Sequence, residues 1–217
     1  MFYRFVWIVV GQGSRIAYRV VMRGREHLPR AGGYILAPSH RSMMDIPFTA
    51  ILTPRQLRYM GKASLFRVPV LGSLFRALGG FPVERDGTDR KAVRDAMQML
   101  RSGEILLVYP EGTRQHGDEI APLQPGAAYL ALRTGVPIVP VGIAGSEEIL
   151  RSHGRRFPRF GRVAVVVGEP VHPPSLSSTI VPRAEVDALT ARLADALQRA
   201  FDEARALRDG TASSSSA

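Results

Sequence analysis

The sequence predicts an α/β domain, a mostly parallel sheet covered by helices, preceded by an N-terminal helical segment suited to a membrane interface. Three observations lead there. Short continuous apolar runs such as ILLVY (105–109) have the pattern of strands buried on both faces of a sheet. Segments with helical apolar spacing alternate with them, as a layered α/β fold requires. The chain has 217 residues, 45% of them hydrophobic, enough for one substantial core and short for two. Residues 1–22 are assigned to the N-terminal segment, 23–208 to the α/β domain, and 209–217, ending in the small polar run TASSSSA, to a disordered tail.

Taken in order, FYRFVWIVVGQGSRIAYRVVM has an apolar centre from Phe5 to Val10, with aromatic residues and Arg4, Arg15 and Arg19 around it. No apolar run reaches the roughly 18 to 20 residues of a spanning helix, and Arg15 follows where a signal peptide would offer a small-residue cleavage site. One helix or two short ones lying in the interface fits this pattern, and an ordinary core helix is the alternative. Tyr34 to Ala37 reads as a short strand, followed by a loop carrying His40 and a helix in MMDIPFTAIL. The stretch from Leu57 to Arg85 is hydrophobic but broken by Pro69, Gly72, Gly79 and Gly80, too interrupted for one element. Val93, Ala96, Met97 and Leu100 then set a helical core stripe that Gly103 stops. ILLVY forms a buried strand leading into PEGTR, PGAAYLALRTG a helix, and VPIVPVGIAG and RVAVVVG two more buried strands. From Arg183 to Leu207 a stripe of Val186, Leu189, Leu193, Leu197, Ala200, Phe201 and Ala204 marks a helix that covers the sheet.

The formal charge of +10 points to anionic partners: phosphorylated small molecules, an anionic membrane leaflet or nucleic acid. With no cysteine the chain has no disulfide framework, thiolate nucleophile or Cys-based zinc site. Gly-x-Ser-x-Gly, P-loop and His-Glu-x-x-His signatures are also missing.

Two stretches can carry chemistry. In HRSMMD, His40 and Asp45 are far enough apart for a loop and a first helical turn to bring them together. A carboxylate at one ring nitrogen would then fix the tautomer that leaves the other free to accept a proton. The spacing alone also occurs by chance. In YPEGTR, directly after a buried strand, Arg114 could grip a phosphate through two parallel hydrogen bonds, Gly112 allows close backbone approach, and Thr113 could complete the cradle. Glu111 would repel a phosphate, so it either accepts a substrate hydroxyl or orients Arg114. A plain Pro-Glu-Gly turn with a solvated arginine fits this stretch equally.

SHRSMMD, the segment from Lys62 to Arg85, YPEGTR and VPIVPV occur in the order and spacing of four sequence blocks, and over about residues 20–170 the chain resembles the glycerolipid acyltransferases, within them most nearly the bacterial 1-acyl-glycerol-3-phosphate acyltransferases. The resemblance implies transfer of a fatty acyl chain from acyl-CoA or acyl carrier protein to the free hydroxyl of 1-acyl-glycerol-3-phosphate, giving phosphatidic acid, with another lysophospholipid or polar acceptor as the alternative. It implies His40 as general base and Asp45 as its charge-relay partner. Lys62 and Arg85 become candidates for the acceptor's phosphate, and Glu111, Gly112, Thr113 and Arg114 the glycerol-phosphate contact. Val136 to Val141 match the fourth block and carry no catalytic atom. No metal or organic cofactor is implied. Ser39 stands where Asn often precedes the histidine, Ala63 where an acidic residue often follows the lysine, and Tyr109 in place of Phe, the last a change expected to matter little. The substrates imply a peripheral or monotopic protein on the cytoplasmic face of the cell membrane, and RSHGRRFPRFGR (151–162), with five arginines around Phe157 and Phe160, would add basic contact. The rival reading from another class is a non-catalytic basic module binding membrane or RNA; the combined blocks argue against nucleic acid as partner.

Overall fold

The structure, a computed structural model, describes residues 2–83, 90–150, 159–176 and 180–210. A continuous helical path opens the chain: α1 (Phe2–Val6), a stretch of π geometry (Trp7–Gln12) and α2 (Gly13–Ala17). The sheet strands are β1 (Val21–Arg23), β2 (Tyr34–Pro38), β3 (Leu57–Lys62), β4 (Gly80–Val83), β5 (Ile105–Leu107), β6 (Ile138–Ala144) and β7 (Ala164–Val167). Between them lie α3 (Asp45–Ala50), α4 (Ala63–Phe66), α5 (Leu71–Ala77), α6 (Arg90–Arg101), α7 (Gly126–Thr134) and α8 (Ser146–Ile149), and α9 (Arg183–Asp209) closes the fold.

The seven strands are ordered β1-β7-β6-β2-β5-β3-β4. All pairs are parallel except β6 with β7. The sheet is therefore mostly parallel and helix-covered, as the apolar runs predict. Strand alternation splits the core between two faces. Ile35 and Ala37 of β2, with Leu106 and Ile138, pack under α6, α7 and α9. Tyr34 and Leu36, with Ile105, Val139 and Val141, pack against Phe48, Ile51 and Leu52 on and after α3. On α9 the buried residues repeat the sequence stripe from Val186 to Ala204.

Four details differ from the sequence reading. The interrupted stretch resolves into β3, α4, α5 and β4, because its glycines and proline separate elements too short for either periodicity to register. β1, only three residues long, pairs with β7 and so joins the sheet from within the stretch assigned to the N-terminal segment. β7 runs antiparallel, which an apolar run cannot reveal. At the other end α9 continues through Asp209, capped by Gly210, whose N–H donates to Ala206 O; the rest of the expected tail lies outside the described residues, as does most of the basic stretch, 151–158.

Candidate active site

β2 and β5 are parallel neighbours, so their carboxyl ends open on the same edge of the sheet, where parallel α/β folds display ligand-binding loops. His40 stands two residues past β2, and YPEGTR leaves β5 beside it. The main-chain N–H of Gln115 donates to His40 O at 2.8 Å, tying the two loops together.

The HRSMMD loop folds around the Asp45 carboxylate. Oδ2 accepts the main-chain N–H groups of Arg41 and Ser42, both at 2.7 Å, and lies 3.0 Å from His40 Nδ1. Oδ1 accepts the Ser146 hydroxyl at 2.5 Å. Asp45 is fully buried, so four donors stand in for the water its carboxylate lacks. A carboxylate can only accept, so Nδ1 is the donor in this pair, and in the neutral ring that tautomer has its lone pair on Nε2. The His40 side chain is 17% exposed, and no described group hydrogen-bonds Nε2. Its ring stacks on Tyr109, centroids 4.0 Å apart and planes at 25°. Burial, then the Asp45 charge, pushes the Tyr109 phenol well above its usual range, so it stays neutral beside the histidine.

Glu111 is brought to His40 by a route the sequence does not suggest. Its buried carboxylate accepts the His40 main-chain N–H at 2.8 Å and that of Ala121 at 3.1 Å, and lies 3.7 Å from the Arg41 guanidinium. It therefore faces neither a substrate hydroxyl nor Arg114: the carboxylate turns inward because main-chain donors and a buried cation offer more than solvent does. Gly112, Thr113 and Arg114 remain exposed on the same loop. Gly112 has φ +75°, a turn conformation that disfavours a side chain, and Thr113 Oγ1 accepts from Gln115 Nε2. Lys62 ends β3 on this edge, but its side chain, like all of Arg85, lies outside the described residues.

Three residues of the site go unnoticed in the sequence. Ser146 is distant in the chain and sits in an unremarkable GSEE. Tyr109 reads as the last residue of an apolar run. Arg41, 1% exposed, reads as a loop arginine; it lies 4.6 Å over the Phe201 ring and donates to Glu119 O at 2.8 Å, joining the loop to α9. Ser39 is buried and accepts the Ile143 main-chain N–H at 3.0 Å, so it fastens β2 to β6.

An apolar cavity of about 270 Å³ lies between the N-terminal helices and α3, lined by Trp7, Val10, Ile46, Pro47, Leu57 and Leu107 among others. No cluster of three or more metal-ligating side chains occurs among the described residues. The arrangement suits base chemistry at Nε2, with the exposed arginine loop tied to His40 through Gln115.

Known proteins similar to this chain are acyltransferases. A family model described as Acyltransferase matches residues 19–144. The chain is similar to the 1-acyl-sn-glycerol-3-phosphate acyltransferase of Bacillus subtilis (strain 168), 30% identical over 154 residues, covering 70% of this chain and 74% of that one. It is also similar to the human 1-acyl-sn-glycerol-3-phosphate acyltransferase alpha, 28% identical, covering 76% of this chain and 59% of that one. The chloroplastic enzyme BAT2 of Brassica napus is 26% identical, and the match covers 71% of this chain and 46% of that one. The matched region thus spans less than two thirds of the human and plant chains. The crystal structure of the 1-acyl-sn-glycerophosphate (LPA) acyltransferase PlsC from Thermotoga maritima superposes with a TM-score of 0.76 at 26% identity, covering 94% of this chain and 81% of that one.

Proposed function

The chain belongs to the acyltransferase family, and we propose that it moves a fatty acyl chain from a thioester donor, acyl-CoA or acyl carrier protein, to the free hydroxyl of 1-acyl-glycerol-3-phosphate, giving phosphatidic acid. The observation that carries this reading is the His40 Nδ1 to Asp45 Oδ2 contact of 3.0 Å, which turns Nε2 away from the carboxylate at the carboxyl edge of the sheet, where it can accept a proton.

In this mechanism Nε2 accepts the proton of the acceptor hydroxyl as its oxygen attacks the thioester carbonyl. The buried Asp45 anion steadies the imidazolium that forms. Collapse of the tetrahedral intermediate breaks the carbon–sulfur bond, and the imidazolium returns its proton to the departing thiolate. Positioned general-base catalysis contributes roughly 10² to 10⁴ in rate, and holding both substrates in register contributes more. No step calls for a covalent enzyme nucleophile, a metal or an organic cofactor. Arg114, exposed one residue before the Gln115 tie to His40, is assigned to the acceptor's phosphate with Gly112 and Thr113; Lys62, which ends β3 on the same edge, and Arg85 are further candidates. The apolar cavity that starts at Ile46 suits a hydrocarbon chain.

Peripheral binding to the cytoplasmic face of the membrane follows from a bilayer-resident acceptor. It is supported by the outward apolar face of the N-terminal helices, where Phe5, Ile8, Val9 and Ile16 are all more than half exposed. No described helix is long and apolar enough to cross a membrane.

The test is purified protein offered labelled acyl-CoA with a panel of lysolipids. Thioester-dependent acylation of 1-acyl-glycerol-3-phosphate is expected, with His40→Ala inactive yet folded and Arg114→Ala raising the acceptor KM. Turnover by His40→Ala would place the base elsewhere; preference for a lysolipid without a phosphomonoester would redirect the acceptor assignment.

A further inference from the structure

We infer that Ser146 is a positioning residue for the reaction, acting on His40 through the Asp45 carboxylate; the inference rests on the dyad reading above.

The two oxygens of Asp45 are supplied differently. Oδ2 has the His40 ring and two main-chain N–H groups of its own loop. Oδ1 has one donor among the described residues, the Ser146 hydroxyl at 2.5 Å, and both side chains are completely buried. No solvent reaches Oδ1 to replace that donor. Ser146 therefore sets how the anion's charge divides between its oxygens, and so how strongly Oδ2 holds the imidazole and the imidazolium formed during transfer.

The surrounding fold fixes Ser146 instead of leaving it to rotate with a mobile turn. Gly145 takes φ +91°, where an added Cβ would sit 2.4 Å from Arg162 O, so only glycine makes the turn from β6 into α8. Beyond it the short α8 is anchored at two further points. Ser42 Oγ, from the HRSMMD loop, donates to Leu150 O at 2.9 Å. Arg208 of α9 donates to Glu148 at 2.9 Å and lies 3.9 Å from Glu147. The turn from residue 145 to 150 is thus a backing plate behind the dyad, tied to the catalytic loop at both ends and clamped by the last helix.

A hydroxyl acting in this way affects turnover more than substrate affinity. Ser146→Ala is expected to lower kcat about 5- to 50-fold, within the general-base contribution of roughly 10² to 10⁴, with KM for donor and acceptor within twofold. Ser146→Thr, which keeps the hydroxyl, is expected to recover part of the loss. In the Asp45→Asn background the further loss from Ser146→Ala should be under twofold, because the group it acts through is already gone. Wild-type kcat in folded Ser146→Ala, a change confined to KM, or losses that multiply in the double variant would each overturn the inference. If Ser146→Ala loses its cooperative melting transition, Ser146→Cys takes its place, filling a similar space with a weaker donor. Reduced kcat at unchanged KM is then expected, and wild-type kcat overturns the inference. His40→Ala, measured alongside, separates the two levels. Turnover by that variant sinks the dyad reading itself, whereas an inactive His40→Ala beside a fully active Ser146→Ala sinks only the role of Ser146.

Discussion

The main-chain N–H of His40 donates to Glu111 Oε1 at 2.8 Å while the His40 carbonyl accepts from Gln115 N–H at 2.8 Å, so the loop after β5 clasps the proposed base by its backbone from both sides. The same carboxylate faces the buried Arg41 guanidinium. Glu111→Ala removes the clasp and leaves Arg41 without its anion, and is expected to lower unfolding free energy by about 3–5 kcal/mol, read by denaturant titration. Glu111→Gln retains an acceptor for the His40 N–H and should lose less stability and keep more turnover. A loss below about 1 kcal/mol in the alanine variant, the size of a single ordinary hydrogen bond, would show that Glu111 is not the brace described.

Tyr109 divides into a ring that stacks on His40 and a buried hydroxyl whose polar neighbour is the Thr49 side chain. Tyr109→Phe keeps the ring and should leave kcat near wild type, with stability changed by no more than about 1 kcal/mol. Tyr109→Leu keeps bulk but loses the stack, worth about 0.5–1.5 kcal/mol, so kcat should fall by up to about tenfold. Equal kcat in the phenylalanine and leucine variants would remove the ring from the mechanism.

Much of this was legible in the sequence because it is local. Continuous apolar runs mark buried strands whatever surrounds them, and His40 and Asp45 lie on one loop whose main-chain N–H groups close on the carboxylate. What was not legible depends on contacts across the sheet. Ser146 reaches Asp45 only because β6 lies beside β2, and Glu111 turns inward to the main-chain N–H groups of His40 and Ala121 and to Arg41, itself packed over the Phe201 ring. Neither partner is marked by spacing or composition. An acid sits badly beside a phosphate, and the fold takes the Glu111 carboxylate off the surface of YPEGTR while Gly112, Thr113 and Arg114 stay exposed.

Glu147 gives a pH signature. Burial, opposed in part by its own main-chain N–H and by Arg208, raises its carboxyl above the ordinary value of 4.5, and Oε2 has no hydrogen-bond partner among the described residues. A carboxyl whose folded value is raised favours the folded state when protonated. That stabilisation is fully present below the unfolded value and is lost as pH rises through the folded one. Glu147→Gln fixes the neutral form, so at pH 7 it should melt about 1–2 °C above wild type, what a few tenths of a kcal/mol produces in a domain of this size. The difference should vanish below about pH 4, where wild type is itself protonated. Thermal melts at both pH values check it, and a gap that widens on acidification contradicts the assignment.

The N-terminal helices present two faces with opposite expected behaviour. Inward, Trp7 Nε1 donates to Ala50 O at 2.8 Å, the Tyr3 hydroxyl donates to Arg55 O at 3.2 Å, and Gly11 is buried against Ile51. Outward, Phe5, Val9 and Ile16 are 64%, 55% and 80% exposed. Deleting the segment would confound the two, since it strips a wall from the apolar cavity as well as the outward face. Replacing the outward residues alone isolates membrane contact: Phe5→Ser, Val9→Ser and Ile16→Ser together should leave the melting temperature unchanged, because these side chains already meet solvent. Full burial of an apolar side chain is worth about 1.5–3 kcal/mol. If about 1 kcal/mol of that is realised per residue at the bilayer surface, binding to vesicles of phosphatidylcholine and anionic phosphatidylglycerol should weaken on the order of 100-fold. Trp7→Ala should do the reverse, lowering the melting temperature through the lost packing and the lost bond to Ala50 while the outward face is kept. Sedimentation with vesicles that is unchanged in the triple variant would mean that these helices serve the core alone and that the lipid surface is met elsewhere on the molecule.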